Sequence, residues 1–317
     1  MAYIREQIRN YLYHWLSHVE ENSEIANLIS SLLHNKGKIF NDGSKFTWAE
    51  FYYYVARLFD ERDESKTSQI VCSAAVELLL VATDILDDLA DQDSKGEILS
   101  SIAVPQAINL SNILWTNGLA LINEQGGHHS LTVAIQQLKK AAYGQFTDLY
   151  FTIDRNNKLT EADYFAHINQ KSVSLTKMVF LMQHLPKKTN AFWIQIANYI
   201  GWSGQIGNDT RDLFDDTKND LYDKKATLPI IKAIEASQKK GDRWFLDALT
   251  STDFSKNGLT VSKIRMYIKQ TGAVNYCTIL SEFYLNKAIQ LIKKYQKTSM
   301  HKDACTDFIQ FLGGNND

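Results

Sequence analysis

The chain is short of the residues that punctuate β-rich folds. It has three prolines, Pro105, Pro186 and Pro229, and few Asn-Gly or Asp-Gly pairs between β-branched runs, so it offers little hairpin chemistry. It has three cysteines, Cys72, Cys277 and Cys305. Their odd number argues against a disulfide framework, and their spacing matches no metal or redox motif. A basic excess is also missing. Across 317 residues, 34 Lys and Arg against 36 Asp and Glu leave a net charge of −2, which excludes the global positive field of a nucleic-acid binder. The opening MAYIREQIRNYLYHWL places Arg5, Glu6 and Arg9 where a signal peptide needs an apolar core. No apolar run reaches the ~18 residues of a membrane span, and the best candidate is broken by Glu77 and Asp84. These absences read as a soluble, cytoplasmic protein that neither binds nucleic acid nor spans a membrane.

What is present is helical period. Stretches such as IVCSAAVELLLVATDILDDL, VPQAINLSNILWTNGLALI and FYLNKAIQLIKKY carry apolar residues three and four apart. Breaks fall at HNKGK, NDGSK, DQDSKG, EQGGHHS, DRNNKLT, HLPKKTN and QKKGDR, which are turn-forming clusters. With 44% hydrophobic residues the chain is long enough for a large core. The pattern predicts an all-α fold of ten or more helices in one domain, 1–317, with residues 1–45 as a helical segment packed on the bundle.

The segment DILDDLADQD at 84–93 crowds aspartates onto the end of the most apolar stretch. On a helix, Asp87, Asp88 and Asp91 point the same way, with Asp84 one turn earlier. Like charges at this spacing cost a few tenths of a kcal/mol per pair, and a divalent cation would reverse that cost. Three hard oxygen donors suit Mg²⁺, which keeps water and substrate phosphate as its other ligands. Read alone, DDxxD is equally a solvated acidic helix end. A second cluster, Asn208, Asp209 and Asp212, follows later, framed by Gly201 and Gln205. Two such clusters facing each other form a clamp for a diphosphate, able to stabilise the charge that grows as it leaves. Lys171 and Lys225 can neutralise phosphate oxygens beside it.

Taken together, these motifs resemble the trans-prenyltransferases of the polyprenyl diphosphate synthase superfamily over most of the chain. Glu77 lies ten residues before Asp87. Gly144, Gln145 and Asp148 match GQxxD, Lys171 and Ser172 match a Lys-Thr pair, and Gly201, Gln205 and Ile206 match GxxxQI. Asn208, Asp209 and Asp212 match the second Asp-rich motif, and Lys225, Thr227 and Pro229 match KxTxP. The resemblance implies an isoprenoid-synthase helical bundle with a central apolar cavity, more than one Mg²⁺, an allylic prenyl diphosphate substrate and a homodimer. It implies that Gln145 and Gln205 orient metal-bound water or carboxylates.

Departures from the family pattern are selective. Chain-elongating members carry GGKRxRP, a His before the first motif and an Arg pair after it, for the diphosphate of isopentenyl diphosphate. Here GSKFTWA at 43–49 keeps Lys45 but has Phe46 and Trp48 at the arginine positions. Leu80 replaces the His, and Lys95 is the only cation in QDSKGEILS. The lost donors are those a diphosphate needs. The pattern resembles the ComQ-type isoprenyltransferases, which attach a geranyl or farnesyl group to a tryptophan of a pheromone precursor peptide for quorum sensing. Ala82 and Thr83, small where elongating relatives carry large floor residues, imply room for a farnesyl chain or longer. Alternatives are a short-chain polyprenyl diphosphate synthase, with Lys36 or Lys38 rebuilding the second site, a terpene cyclase and a non-catalytic synthase subunit. Trp48 and Phe46 also suit plain core positions, and His128 and His129 read as a solvated loop.

Overall fold

The apolar stretch before the first acidic motif forms one long helix, α4, because its residues are strong helix formers without an interior Gly or Pro. The computed structural model describes residues 2–18, 23–59, 66–91, 97–156, 158–185, 188–251 and 258–313; Lys95 and Pro186 lie outside them. In chain order the helices are α1 (Ala2–His18), α2 (Ser23–Leu33), α3 (Trp48–Arg57), α4 (Lys66–Ala90), α5 (Glu97–Ser100), α6 (Val104–Asp148) and α7 (Glu161–Ile168). There follow α8 (Ser172–Leu181), α9 (Asn190–Asp212), α10 (Leu228–Lys240), α11 (Arg243–Thr250), α12 (Gly258–Gln270), α13 (Ala273–Gln296) and α14 (Lys302–Gly313). Among the described residues the only extended pairing is an isolated antiparallel bridge between Thr152 and Lys225. The fold is all-α, as the period predicts.

By length and composition α4 can cross a membrane, which corrects the expectation that no stretch qualifies. Within the fold, 78% of its apolar window is buried, as in a core helix. α3, α6 and α1 surround it. One of its faces, Ala74, Leu78, Val81, Ala82 and Ile85, packs on Ile8, Leu12, Ile29 and Leu33 of α1 and α2. Another, Cys72, Ala75, Val76, Leu79 and Leu80, meets α6, α8 and the aromatic cluster of Phe51, Phe180, Trp193 and Phe308.

α6 is a helical hairpin. Its first arm runs antiparallel to α4: Ser111 Oγ donates to the carbonyl of Ala82 at 2.9 Å, and a Cβ on Gly126 would lie 3.3 Å from Cys72 Sγ. At Gly127 the backbone takes φ 74° and ψ 179°, a conformation glycine enters at little cost. The second arm climbs back to Asp148 at the acidic end of α4. There a Cβ on Gly144 would stand 2.4 Å from the backbone nitrogen of Lys171. Only glycine lets α6 approach the start of α8 so closely.

The α2–α3 connection is held by a buried acid. Glu77 accepts from the backbone N–H of Ile39 at 2.9 Å and of Ala49 at 2.8 Å. Thr47 caps α3, and Arg5 reaches from α1 to Glu50 at 2.6 Å and to the carbonyl of Ser44 at 2.6 Å.

Candidate functional site

The C-terminal end of α4 and the end of α9 bring the two acidic motifs to one cleft. The cleft has a volume of about 90 Å³, and Asp87, Asp91, Asp148, Lys171, Gln205, Asp209, Asp212, Lys218 and Lys225 are among its walls. It adjoins a larger cavity of about 570 Å³ that shares Asp87, Lys171, Gln205, Asp212 and Lys218; its other walls combine apolar groups, including Leu80, Leu138, Ala141, Leu175, Trp48 and Trp115, with polar ones, including Lys36, Lys38, Asp84 and Gln145. A polar head space therefore opens onto a larger space with apolar and polar walls.

Three lysines cross the cleft to the three aspartates of the first motif. Lys171 Nζ lies 3.1 Å from Asp87, Lys218 Nζ lies 3.4 Å from Asp88, and Lys225 pairs with Asp91. Asp148 is the hub behind them, 2.7 Å from Lys171 and 3.7 Å from Lys225. His167 Nε2 is 2.6 Å from its other oxygen, and the imidazole stacks on Phe151 at 4.2 Å. Lys225 is held by local backbone. Lys224 adopts φ 57°, Ile153 N–H donates to its carbonyl at 2.7 Å, and Ala226 N–H donates to Phe151 at 2.9 Å. Asp220 lies 3.3 Å from Lys225.

On the second wall Asp209 is buried, accepting from Tyr164 Oη at 2.6 Å and from Gln205 Nε2 at 2.6 Å. Gln205 thus orients a carboxylate. Asn208 is exposed, pairs with Arg211 and borders the larger cavity, as does Asp212. Gln145 borders that cavity with both amide atoms buried and unpartnered.

Burial sets the protonation of the clamp. It pushes the Asp209 carboxyl up to about 7. Burial, then Asp220, takes Asp212 to about 6, and burial, then Asp87, takes Asp91 to about 6. Burial acts on Asp148 too, but the His167 hydrogen bond and the Lys171 and Lys225 charges outweigh it and hold that carboxyl below the usual range. Against burial, the charges of Asp87 and Asp148 raise Lys171.

The donor set fits a hard cation. Asp91 Oδ1 is buried without a hydrogen-bond partner, and both walls offer carboxylate oxygen, the donor Mg²⁺ prefers. Among the described residues no three acidic or imidazole side chains converge as a closed metal site. A carboxyl whose pKa is higher folded than unfolded stabilises fully below about pH 4, and this contribution is lost as pH rises through the folded value. For Asp209, and for Glu77, which burial takes to about 7, the loss ends near about pH 7. In metal-free buffer the melting temperature is therefore expected to fall from about pH 5 to about pH 7.5, and Asp209→Asn to flatten the fall. An unchanged slope in that variant would remove Asp209 from the account.

Two expected site residues lie elsewhere. Lys45 is exposed and borders neither cavity. Ala82 is fully buried against α1 and α2, while Thr83 borders the larger cavity. Lys38 is mostly buried and pairs with Asp84. His129 stacks on His184 at 4.3 Å inside a helical region, not a loop. His167 and Tyr164 escaped the sequence reading. No local pattern marks them, because their partners Asp148 and Asp209 lie on other helices.

A polyprenyl synthetase family model matches residues 22–265. A tryptophan prenyltransferase ComQ of Bacillus spizizenii is 32% identical over 246 residues, covering 74% of this chain and 82% of that protein. A geranylgeranyl pyrophosphate synthase of Macrophomina phaseolina is 25% identical over 256 residues, 77% of each chain. The heptaprenyl diphosphate synthase of Staphylococcus aureus superposes with a TM-score of 0.80 at 17% identity, covering 99% of this chain and 98% of that one.

Proposed function

This chain belongs to the polyprenyl synthetase family, and from that premise we propose that it ionises an allylic prenyl diphosphate, geranyl or farnesyl, and transfers the prenyl group to a tryptophan of a peptide. The enzyme is a transferase of prenyl groups. The observation that carries the acceptor reading is the wall of the larger cavity, where Trp48 and Leu80 stand in place of basic donors. The tryptophan prenyltransferase among the relatives supports the same acceptor.

In this reading Asp87, Asp88 and Asp91 on one wall and Asn208, Asp209 and Asp212 on the other hold Mg²⁺. Bound there, the ions would offset the negative charge that builds on the diphosphate as its bond to C1 breaks. Lys171, Lys218 and Lys225 donate to phosphate oxygens, and Asp148 with His167 fixes the first of them in direction. Gln205 orients Asp209, and Gln145 offers its unpartnered amide to the larger cavity. Leu80, Leu138, Ala141 and Leu175 keep water from C1, and Trp48 and Trp115 offer ring faces to a cation. A carbon of the acceptor indole then bonds to C1, and its proton leaves with the diphosphate. Ile108 on the first arm of α6 and Ile135, Tyr143 and Phe146 on the second are exposed apolar side chains; they support the homodimer, in which a second copy would cover them.

Lys36 and Lys38, which border the same cavity, favour a second reading in which isopentenyl diphosphate is the acceptor. One assay separates the two. Labelled farnesyl or geranyl diphosphate is offered with Mg²⁺ and either a tryptophan-bearing peptide or isopentenyl diphosphate. Label in the peptide alone is the expected result. Label in a longer diphosphate would overturn the peptide reading.

A further inference from the structure

The cavity wall formed by the α2–α3 connection and α4 contains a cation that is already spent. Lys38 Nζ pairs with Asp84, one helical turn before Asp88. The Lys38 side chain is 13% exposed and that of Asp84 52%. Glu77 and Asp88 add negative charge around the ammonium. Its backbone is not free to swing, because the next residue, Ile39, donates its N–H to Glu77. Lys38 and Asp84 border the same cavity as Trp48 and Leu80.

We infer that Asp84 is a specificity-determining residue: by cancelling Lys38, one of the two lysines on this wall with Lys36, it disfavours a second diphosphate there and favours an uncharged aromatic acceptor. The inference rests on the acceptor reading above and deepens it. Lys171, Lys218 and Lys225 face aspartates of the first motif, which the proposed Mg²⁺ would engage; Lys38 instead keeps Asp84, which lies outside both motifs, so a diphosphate brought to this wall meets like charge. An indole has no charge to repel and can pack on the face of Trp48. Sequence alone hides this device, since Lys38 and Asp84 are 46 residues apart.

The test is equilibrium dialysis of labelled isopentenyl diphosphate with Mg²⁺. The clamp is first filled by an allylic thiodiphosphate, which holds the head space without ionising readily. Asp84→Asn, and Asp84→Ser as a second variant, are expected to bind the probe at least about ten-fold tighter than wild type. Adding Lys38→Met to Asp84→Asn should return binding to the wild-type level. Equal binding by wild type and both single variants would overturn the inference. So would a gain that survives in the double variant, because Lys38 would then have no part in it. The acceptor reading fails separately, if wild-type enzyme turns isopentenyl diphosphate into a longer diphosphate. Peptide prenylation by wild type with no gain in either Asp84 variant would sink the Asp84 role alone.

Discussion

Asp88→Asn is expected to lower kcat by about 10³-fold while the protein stays folded and melts within a degree or two of wild type. The size of the kinetic loss follows from losing one preorganised charge at the departing group. The small thermal effect follows from where Asp88 sits. Its side chain is about one-third exposed, and its partner Lys218 is 3.4 Å away and equally exposed. Such a pair contributes about 0–1 kcal/mol. Its removal also relieves repulsion from Asp84, four residues earlier, by a few tenths of a kcal/mol. Steady-state kinetics with a thermal melt measures both quantities. A variant keeping more than about a tenth of the wild-type kcat would remove Asp88 from the catalytic clamp.

Lys225→Met is expected to damage both properties. Lys225 is 11% exposed and stands among Asp91, Asp148 and Asp220. Without the ammonium, Asp91 and Asp220 lose this cation in a largely buried site, while Asp148 keeps only Lys171 and His167. Breaking a buried pair in this way costs about 3–5 kcal/mol. The cost should be greater near pH 8 than near pH 5.5. At the lower pH, Asp91, already raised to about 6, can take a proton and shed its charge. The kinetic loss should reach about 10²-fold or more, because a donor to the diphosphate is gone. A melt near pH 8 that matches wild type would contradict the buried network. Together the two variants separate charge needed for chemistry from charge needed for the fold.

Much of this site could be read from local pattern. Helical period places Asp87, Asp88 and Asp91 on one turn of α4 and Gln205 one turn before Asp209 on α9. Other parts depend on distances between elements. Whether Ala82 or Thr83 meets the cavity depends on how α4 is rotated against α6. The answer lay in the apolar residues Ala74, Leu78, Ala82 and Ile85, which share a face and so turn Ala82 toward α1 and α2. Lys45 was placed in the site by motif position. Its actual position depends on the loop between Ile39 and Ala49, whose ends Glu77 holds together. Lys38 with Asp84 and His167 with Asp148 join residues whose proximity only the assembled bundle creates.

The hairpin of α6 has one further consequence. Its second arm ends at the cleft, at Asp148, while its bend at Gly127 borders neither cavity. Val76, Leu79, Ile122 and Ala134, which also border neither, pack in the core beside the two arms. The hairpin is therefore a ruler longer than the length it marks. Trimming one layer of side chains would lower the floor by about a helical turn, roughly 5 Å, with no change of backbone and no disturbance at the mouth. In the proposed reading, the length of prenyl tail accepted would be set by this filling while the reactive end stays fixed.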